Sequence, residues 1–254
     1  MSARTFRIAA ALLLALGLSG QALAADAPKP PDQSWPWEGP FGKYDQAALQ
    51  RGFHVYNQVC SACHALNHMY YRHLEDIGFS EEEVRAIASQ VRVQDGPNDQ
   101  GEMFMRPAKP SDPFKDPYKN EAEARYINNG AYPPSLSLIV RARKYGADYI
   151  DALLLGYEQP PEGEELGIGQ YWNKYYPGHK IGMPQQLYPD IVEYEDGTEA
   201  TPEQMSSDVT QFLKWASAPH LNERKQMGMM VMLFLVVFAG VMYGVKKKIW
   251  ADLH

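Results

Sequence analysis

The sequence predicts a mainly α domain with long loop insertions, followed by one C-terminal transmembrane helix. Three observations carry this. Apolar residues recur at helical spacing in several segments, while no strand-like alternation and no internal repeat stands out. The stretches between those segments are long and dense in Gly, Pro and Tyr. Near the C-terminus, Met227 to Val245 is a run of nineteen residues without a charge, close to the ~20 apolar residues that cross a bilayer as a helix.

At the N-terminus, Arg4 and Arg7 precede an apolar run from Ile8 to Leu18, and Ala22-Leu23-Ala24 supplies small residues at a cleavage site. Residues 1–24 therefore read as a cleaved secretory signal peptide, too short in its apolar part to serve as an anchor. The exported domain then covers 25–226. Its first residues, 26–41, hold five prolines and should be extended and irregular. A first helix is expected from near Gln46, with Leu49, Phe53 and Tyr56 on one stripe. Gly52 beside that stripe costs about 1 kcal/mol relative to Ala, which points to close helix packing. Ser80 followed by Glu81, Glu82 and Glu83 predicts a second helix to about Val91, with carboxylates suiting its N-terminus. Residues 95–120 read as loop. Helices are expected over Glu121–Asn128, ended by Asn129-Gly130, then from Leu136 to about Lys144 and from Ala147 to Gly156. Residues 159–197 read as loop. Thr201 and Pro202 open the last soluble helix, whose stripe is Val209, Phe212, Leu213 and Ala216.

The transmembrane anchor is read as 227–245. Lys246, Lys247 and Lys248 follow it, Tyr243 and Trp250 sit at that end as interface residues, and Arg224 and Lys225 lie at the other. The basic residues are too evenly split to orient it. The signal peptide does so, leaving residues 246–254 as a cytoplasmic tail. Setting aside two basic residues in the leader, three lysines and one aspartate in the tail leaves residues 25–226 with a formal charge of −11. That sign disfavours nucleic acid and suits a basic soluble partner steered in by the field, although acidity also serves solubility.

The chemistry is concentrated in Cys60-Ser61-Ala62-Cys63-His64. This is the C-x-x-C-H spacing of c-type haem attachment. Two thiols on one turn can reach two vinyl groups along one porphyrin side, and the adjacent imidazole becomes an axial ligand. These are the only two cysteines in 254 residues. A thioredoxin-like redox pair would need a βαβ pattern around it, and a zinc site two further ligands at finger spacing; neither pattern is present in the sequence. Export agrees with haem attachment outside the cytoplasm. For the sixth ligand, Met69 is too near His64 and Met205 falls on the last soluble helix. Met103, Met105 and Met183 remain open. Met183 is preferred, in a Gly/Pro loop late in the chain, with Met103 and Met105 read as packing residues. His54, His73, His179 and His220 read as surface residues.

Several long stretches occur together and in order: RGFHVYNQVCSACH (51–64), EARYINNGAYPPSLSLIVRAR (123–143), DYIDALLLGY (148–157), KIGMP (180–184), YEDGTEAT (194–201) and the anchor with its lysines. By these the chain resembles the cytochrome c1 family, haem subunits of bacterial-type cytochrome bc1 complexes. The resemblance runs from Ser34 to the basic tail. It implies a class I cytochrome c-like fold and one covalent haem c, with His64 and Met183 as its metal ligands. It implies that Arg143 pairs with a haem propionate and that Asn128, Pro133, Pro134, Ile139, Tyr149, Leu153 and Ile181 line the pocket. The implied partners are cytochrome b and a Rieske iron–sulfur subunit in a dimeric complex, with a basic c-type cytochrome as acceptor. The implied location is the bacterial cytoplasmic membrane, with the haem domain in the periplasm. The chain departs from some bacterial relatives in lacking a cysteine pair in the loop before the methionine. On this reading the chain carries one electron and has no catalytic residue of its own. A membrane-anchored carrier serving an oxidase, and a haem enzyme or gas sensor with an open sixth position, are the competing readings.

Overall fold

The computed structural model describes residues 27–253, so the expected signal peptide and its cleavage site lie outside the described residues. Seven α-helices occur in this range: α1 (Gln46–Gln58), α2 (Glu81–Ser89), α3 (Glu121–Ile127), α4 (Ile139–Ala142), α5 (Gly146–Leu155), α6 (Pro202–Ser217) and α7 (Leu221–Trp250). Two antiparallel hairpins join them, β1 (Arg92–Asp95) with β2 (Phe104–Pro107) and β3 (Tyr171–Trp172) with β4 (Lys180–Ile181). The mainly α reading holds. The two short hairpins are the strands for which no alternating pattern stood out in the sequence. Strands of two and four residues are too short to show an alternating pattern. Ion pairs from Arg106 to Asp95 and Asp112 hold the first hairpin.

The helix starts follow their caps. The Asp45 side chain accepts from the amides of Ala47 and Ala48 at α1. Ser80 and Glu83 bond reciprocally at α2, so the glutamate run is a helix start. Thr201 accepts from the Gln204 amide at 3.1 Å, with Pro202 in the first turn of α6. The helix expected over 136–144 shrinks to Ile139–Ala142. The Leu136 amide is spent on the Ala65 carbonyl at 2.9 Å, the Ser137 hydroxyl accepts from the His68 amide at 3.1 Å, and Tyr145 takes a left-handed backbone with φ +68°.

The core lies between α1 and α6. Phe53 and Tyr56 of α1 meet Phe212 of α6 with ring centroids 5.8 and 5.7 Å apart. Gly52 permits the crossing: a Cβ there would stand 2.0 Å from the Asp208 carbonyl oxygen. α7 leaves the core as a single 30-residue rod, about 45 Å long at 1.5 Å per residue. It is long and apolar enough to cross a membrane, and beyond Leu221 none of its residues is buried. Its first turn is braced by the N-terminal segment. Trp35 and Trp37 are buried and stack at 4.9 Å. Lys225 Nζ donates to the carbonyls of Trp37, Gly39 and Gly42 at 2.5, 2.7 and 3.0 Å.

Two side-chain expectations are overturned. Met103 and Met105 do not pack; they are exposed at the β1–β2 hairpin, whereas Met69 and Met205 are buried in the core. His54, His73 and His179 are half-buried against aromatic rings, and only His220 among these four is a surface residue.

Candidate haem site

α1 carries the chain into the motif. Its last bond runs from the Val59 amide to the Val55 carbonyl, and Cys60–Ala62 then form one tight 3₁₀ turn. The amides of Cys63 and His64 both donate to the Cys60 carbonyl, at 3.1 and 2.9 Å. Buried Tyr56 donates its hydroxyl to the His64 carbonyl at 3.1 Å. The two thiols and the imidazole therefore stand on one turn fixed from the core. The two cysteines are not bonded to each other and both are half-buried. Burial, and then the neighbouring Cys63, push the Cys60 thiol up to about 12.

His64 Nδ1 lies 2.7 Å from the Pro134 carbonyl oxygen. A carbonyl can only accept, so Nδ1 carries the proton and Nε2 keeps its lone pair. Burial lowers the His64 pKa, with the Pro134 bond opposing it. The neutral imidazole that results is the metal-binding form.

The segment after α3 wraps this turn. Asn128 Nδ2 donates to the Ala124 carbonyl at 2.7 Å and to the Tyr118 hydroxyl at 2.9 Å. Asn129 and Gly130 both take positive φ and turn the chain towards Pro133 and Pro134. Ile139 and Tyr149 are buried and Leu153 is half-buried. Arg143 is exposed, makes no ion pair among the described residues, and its charge partly offsets the burial that raises the Tyr149 phenol.

β4 delivers buried Ile181, then Gly182 and half-buried Met183. A Cβ on Gly182 would sit 2.9 Å from Ala131 Cβ, so the methionine loop rests on the 128–134 segment. The Tyr157 hydroxyl donates to the Met183 carbonyl at 2.9 Å. One segment thus touches both ligand candidates, His64 through Pro134 and the Met183 loop through Ala131. This donor set fits a c-type haem: two thiols on one turn, an oriented imidazole, a thioether in a separate loop, and buried apolar side chains at Ile139, Tyr149 and Ile181. Sequence reasoning missed Tyr56, Tyr118 and Tyr157. Each acts through a hydroxyl bond to another residue, which no spacing pattern announces.

A mainly helical domain with this motif, carrying one exposed helix long and apolar enough to cross a membrane, defines a cytochrome-like class of protein. The model of the Cytochrome C1 family matches residues 35–253. The chain is 47% identical over 248 residues to the protein named "Cytochrome b/c1" of Bradyrhizobium diazoefficiens, covering 89% of this chain and 36% of that one. It is 50% identical over 198 residues to "Cytochrome c1 2, heme protein, mitochondrial" of Arabidopsis thaliana, covering 78% and 64%. It is 41% identical over 262 residues to "Cytochrome c1" of Rhodospirillum rubrum, covering 97% and 96%. The chain therefore spans about a third of the first relative and nearly all of the third. It belongs to the cytochrome c1 family, whose members are haem-binding electron-transfer components of bc1 complexes.

Proposed function

We propose that this chain holds one haem covalently through Cys60 and Cys63, with His64 and Met183 as axial ligands, and relays single electrons within a quinol–cytochrome c reductase. The observation that carries this is the 2.7 Å contact from His64 Nδ1 to the Pro134 carbonyl, which leaves Nε2 as the unprotonated nitrogen able to bind a metal. When bound, the haem supplies a one-electron change at iron; the chain makes and breaks no bonds. Its own residues orient and tune. Pro134 fixes the His64 tautomer. Ile139, Tyr149, Leu153 and Ile181 form apolar walls that disfavour the extra charge of ferric iron, and a thioether ligand favours ferrous iron over a second imidazole; both raise the potential. Arg143, exposed and without an acidic partner among the described residues, is suited to a propionate. Asn128, Pro133 and Pro134 close the remaining side.

In this reading a Rieske iron–sulfur subunit gives the electron and a basic c-type cytochrome takes it. Cytochrome b is a further subunit of a dimeric complex. α7 is the single-pass anchor in a bacterial cytoplasmic membrane, with the domain on the periplasmic side. The test is purification from native membrane in mild detergent, with haem staining after denaturing electrophoresis and identification of the co-purifying subunits. Haem that stays with the denatured chain, together with cytochrome b and an iron–sulfur protein, is the expected result. Haem lost on denaturation would overturn the covalent assignment, and co-purification with an oxidase alone would overturn the reductase.

A further inference from the structure

The loop from Gln159 to Gly197 holds no cysteine, yet its methionine end is closed into a ring of hydrogen bonds. Asn173 is its hub. The residue is fully buried, and both ends of its side chain are satisfied. Nδ2 donates to the Leu153 carbonyl at 2.8 Å, and Oδ1 accepts from the amides of Tyr175 and Tyr176 at 3.0 and 3.2 Å. Its backbone pairs with Tyr157 as an antiparallel bridge, and its amide donates to the His179 carbonyl at 2.8 Å. The β3–β4 hairpin then carries the chain from Trp172, opposite Lys180, to Ile181. Two residues further on, the Met183 carbonyl accepts the Tyr157 hydroxyl at 2.9 Å and closes the ring.

The packing leaves little room for another arrangement. His179 takes φ +61°, stacks on Trp172 at 4.9 Å and places Nδ1 at 3.2 Å from the Asn173 carbonyl. A side chain at Gly156 would meet Tyr175 at 2.7 Å and Asn173 Oδ1 at 3.1 Å. A buried amide is retained where all its bonds are made, and here those bonds tie the end of α5 to the Met183 loop. Leu153, on the proposed haem wall, and Met183, the proposed ligand, thus take their positions from the same residue. A neutral thioether is a weak ligand, so a loop that could wander would lose it to water or an added anion.

We infer that Asn173 and Tyr157 are positioning residues for Met183, holding its backbone so that the thioether stays committed to iron. The inference rests on the reading of Met183 as an axial ligand. The test uses the full-length, haem-loaded chain in detergent, oxidised, and titrated with cyanide as a competing axial ligand. The methionine–iron charge-transfer band and the reduction potential are recorded alongside. Tyr157→Phe removes one oxygen and leaves the buried bonds of Asn173 intact; Asn173→Asp keeps the acceptor and loses the donor to Leu153. Losing one hydrogen bond should tighten cyanide binding about five- to tenfold in Tyr157→Phe, with a weaker band and a lower potential. Asn173→Asp should show a larger effect, and Tyr171→Phe, outside the ring, none. Wild-type cyanide affinity, band and potential in Tyr157→Phe, beside a far tighter-binding Met183→Leu, would remove the inference and leave the ligand assignment standing. Wild-type affinity in Met183→Leu itself would remove both. Because Tyr157→Phe is nearly isosteric, it decides the matter even if Asn173→Asp does not accumulate.

Discussion

Arg51 on α1 and Asp208 on α6 form a two-pronged pair, Nε to Oδ2 at 2.9 Å and Nη2 to Oδ1 at 3.1 Å. The Asp208 side chain is fully buried, and that of Arg51 is 16% exposed. Arg51 Nη1 also reaches Asp196 at 2.8 Å. The bond to Asp208 raises the Arg51 pKa, against burial. The Thr198 amide, with Arg51 second, holds the Asp196 carboxyl down at about 2. The pair lies beside the Gly52 contact, so charge and close packing set the same helix crossing.

Removing one partner should therefore cost more than removing both. Arg51→Met leaves a buried carboxylate without its cation and is expected to cost about 3–5 kcal/mol. The double variant Arg51→Met/Asp208→Leu should recover most of that. Chemical denaturation of the haem-loaded chain checks it. A single variant as stable as the double one would mean that the pair is not what holds the crossing.

Asp151 on α5 gives a pH dependence of the opposite kind to Asp196. It is buried, accepts the Ser206 hydroxyl at 2.7 Å, and has Asp148 nearby. Burial raises its pKa, with the Ser206 bond opposing. The folded value then lies above the unfolded one of about 3.9, the fold binds more protons between the two, and stability falls as pH rises through that window. Asp151→Asn should raise the melting temperature at pH 7, with the gain shrinking as pH falls towards the unfolded value. A gain that stays constant with pH would show that the ionised carboxylate is not the cause.

Met183→Leu should retain covalent haem, since Cys60, Cys63 and His64 are untouched. It should lose the charge-transfer band, and its potential should drop markedly, because the thioether that favours ferrous iron is gone. Optical spectra and a redox titration measure both. An unchanged potential would return attention to Met103 and Met105, both of them exposed on the β1–β2 hairpin.

Electron transfer to a basic cytochrome c should slow as salt is raised, because screening shortens the reach of exposed charges to about 8 Å at physiological salt. The structure sorts the acidic loops. Glu164 is paired with Lys180 on β4 at 3.0 Å, which ties the 162–165 loop to the methionine strand. Asp196 is paired with Arg51, leaving Glu193 and Glu195 on the other loop. Charge reversal at Glu162 and Glu165 should slow stopped-flow transfer more than reversal at Glu193 and Glu195. A rate independent of ionic strength would mean that acidity serves only solubility.

The helices were legible wherever the signal was local. Ser80 and Thr201 cap within a few residues of themselves, and the stripe of Leu49, Phe53 and Tyr56 needs only a period of 3.6 residues. The haem motif and the apolar run of α7 are contiguous, so local spacing and hydropathy are enough to read them. The hairpins, the trimmed α4 and the exposure of Met103 and Met105 were not legible. The trimming of α4 depends on which distant backbone group takes a hydrogen bond, as when Ala65 claims the Leu136 amide, and the hairpins on pairings that such short runs do not announce. The same holds for the site. Sequence by itself determined that Cys60, Cys63 and His64 form one chemical unit, because they share one turn. Only the tertiary structure decided that Pro134 orients His64, that Ala131 meets Gly182, and that Asn173 and Tyr157 hold the Met183 loop. Those contacts join residues that chain spacing leaves unrelated, and burial makes each unsatisfied alternative costly.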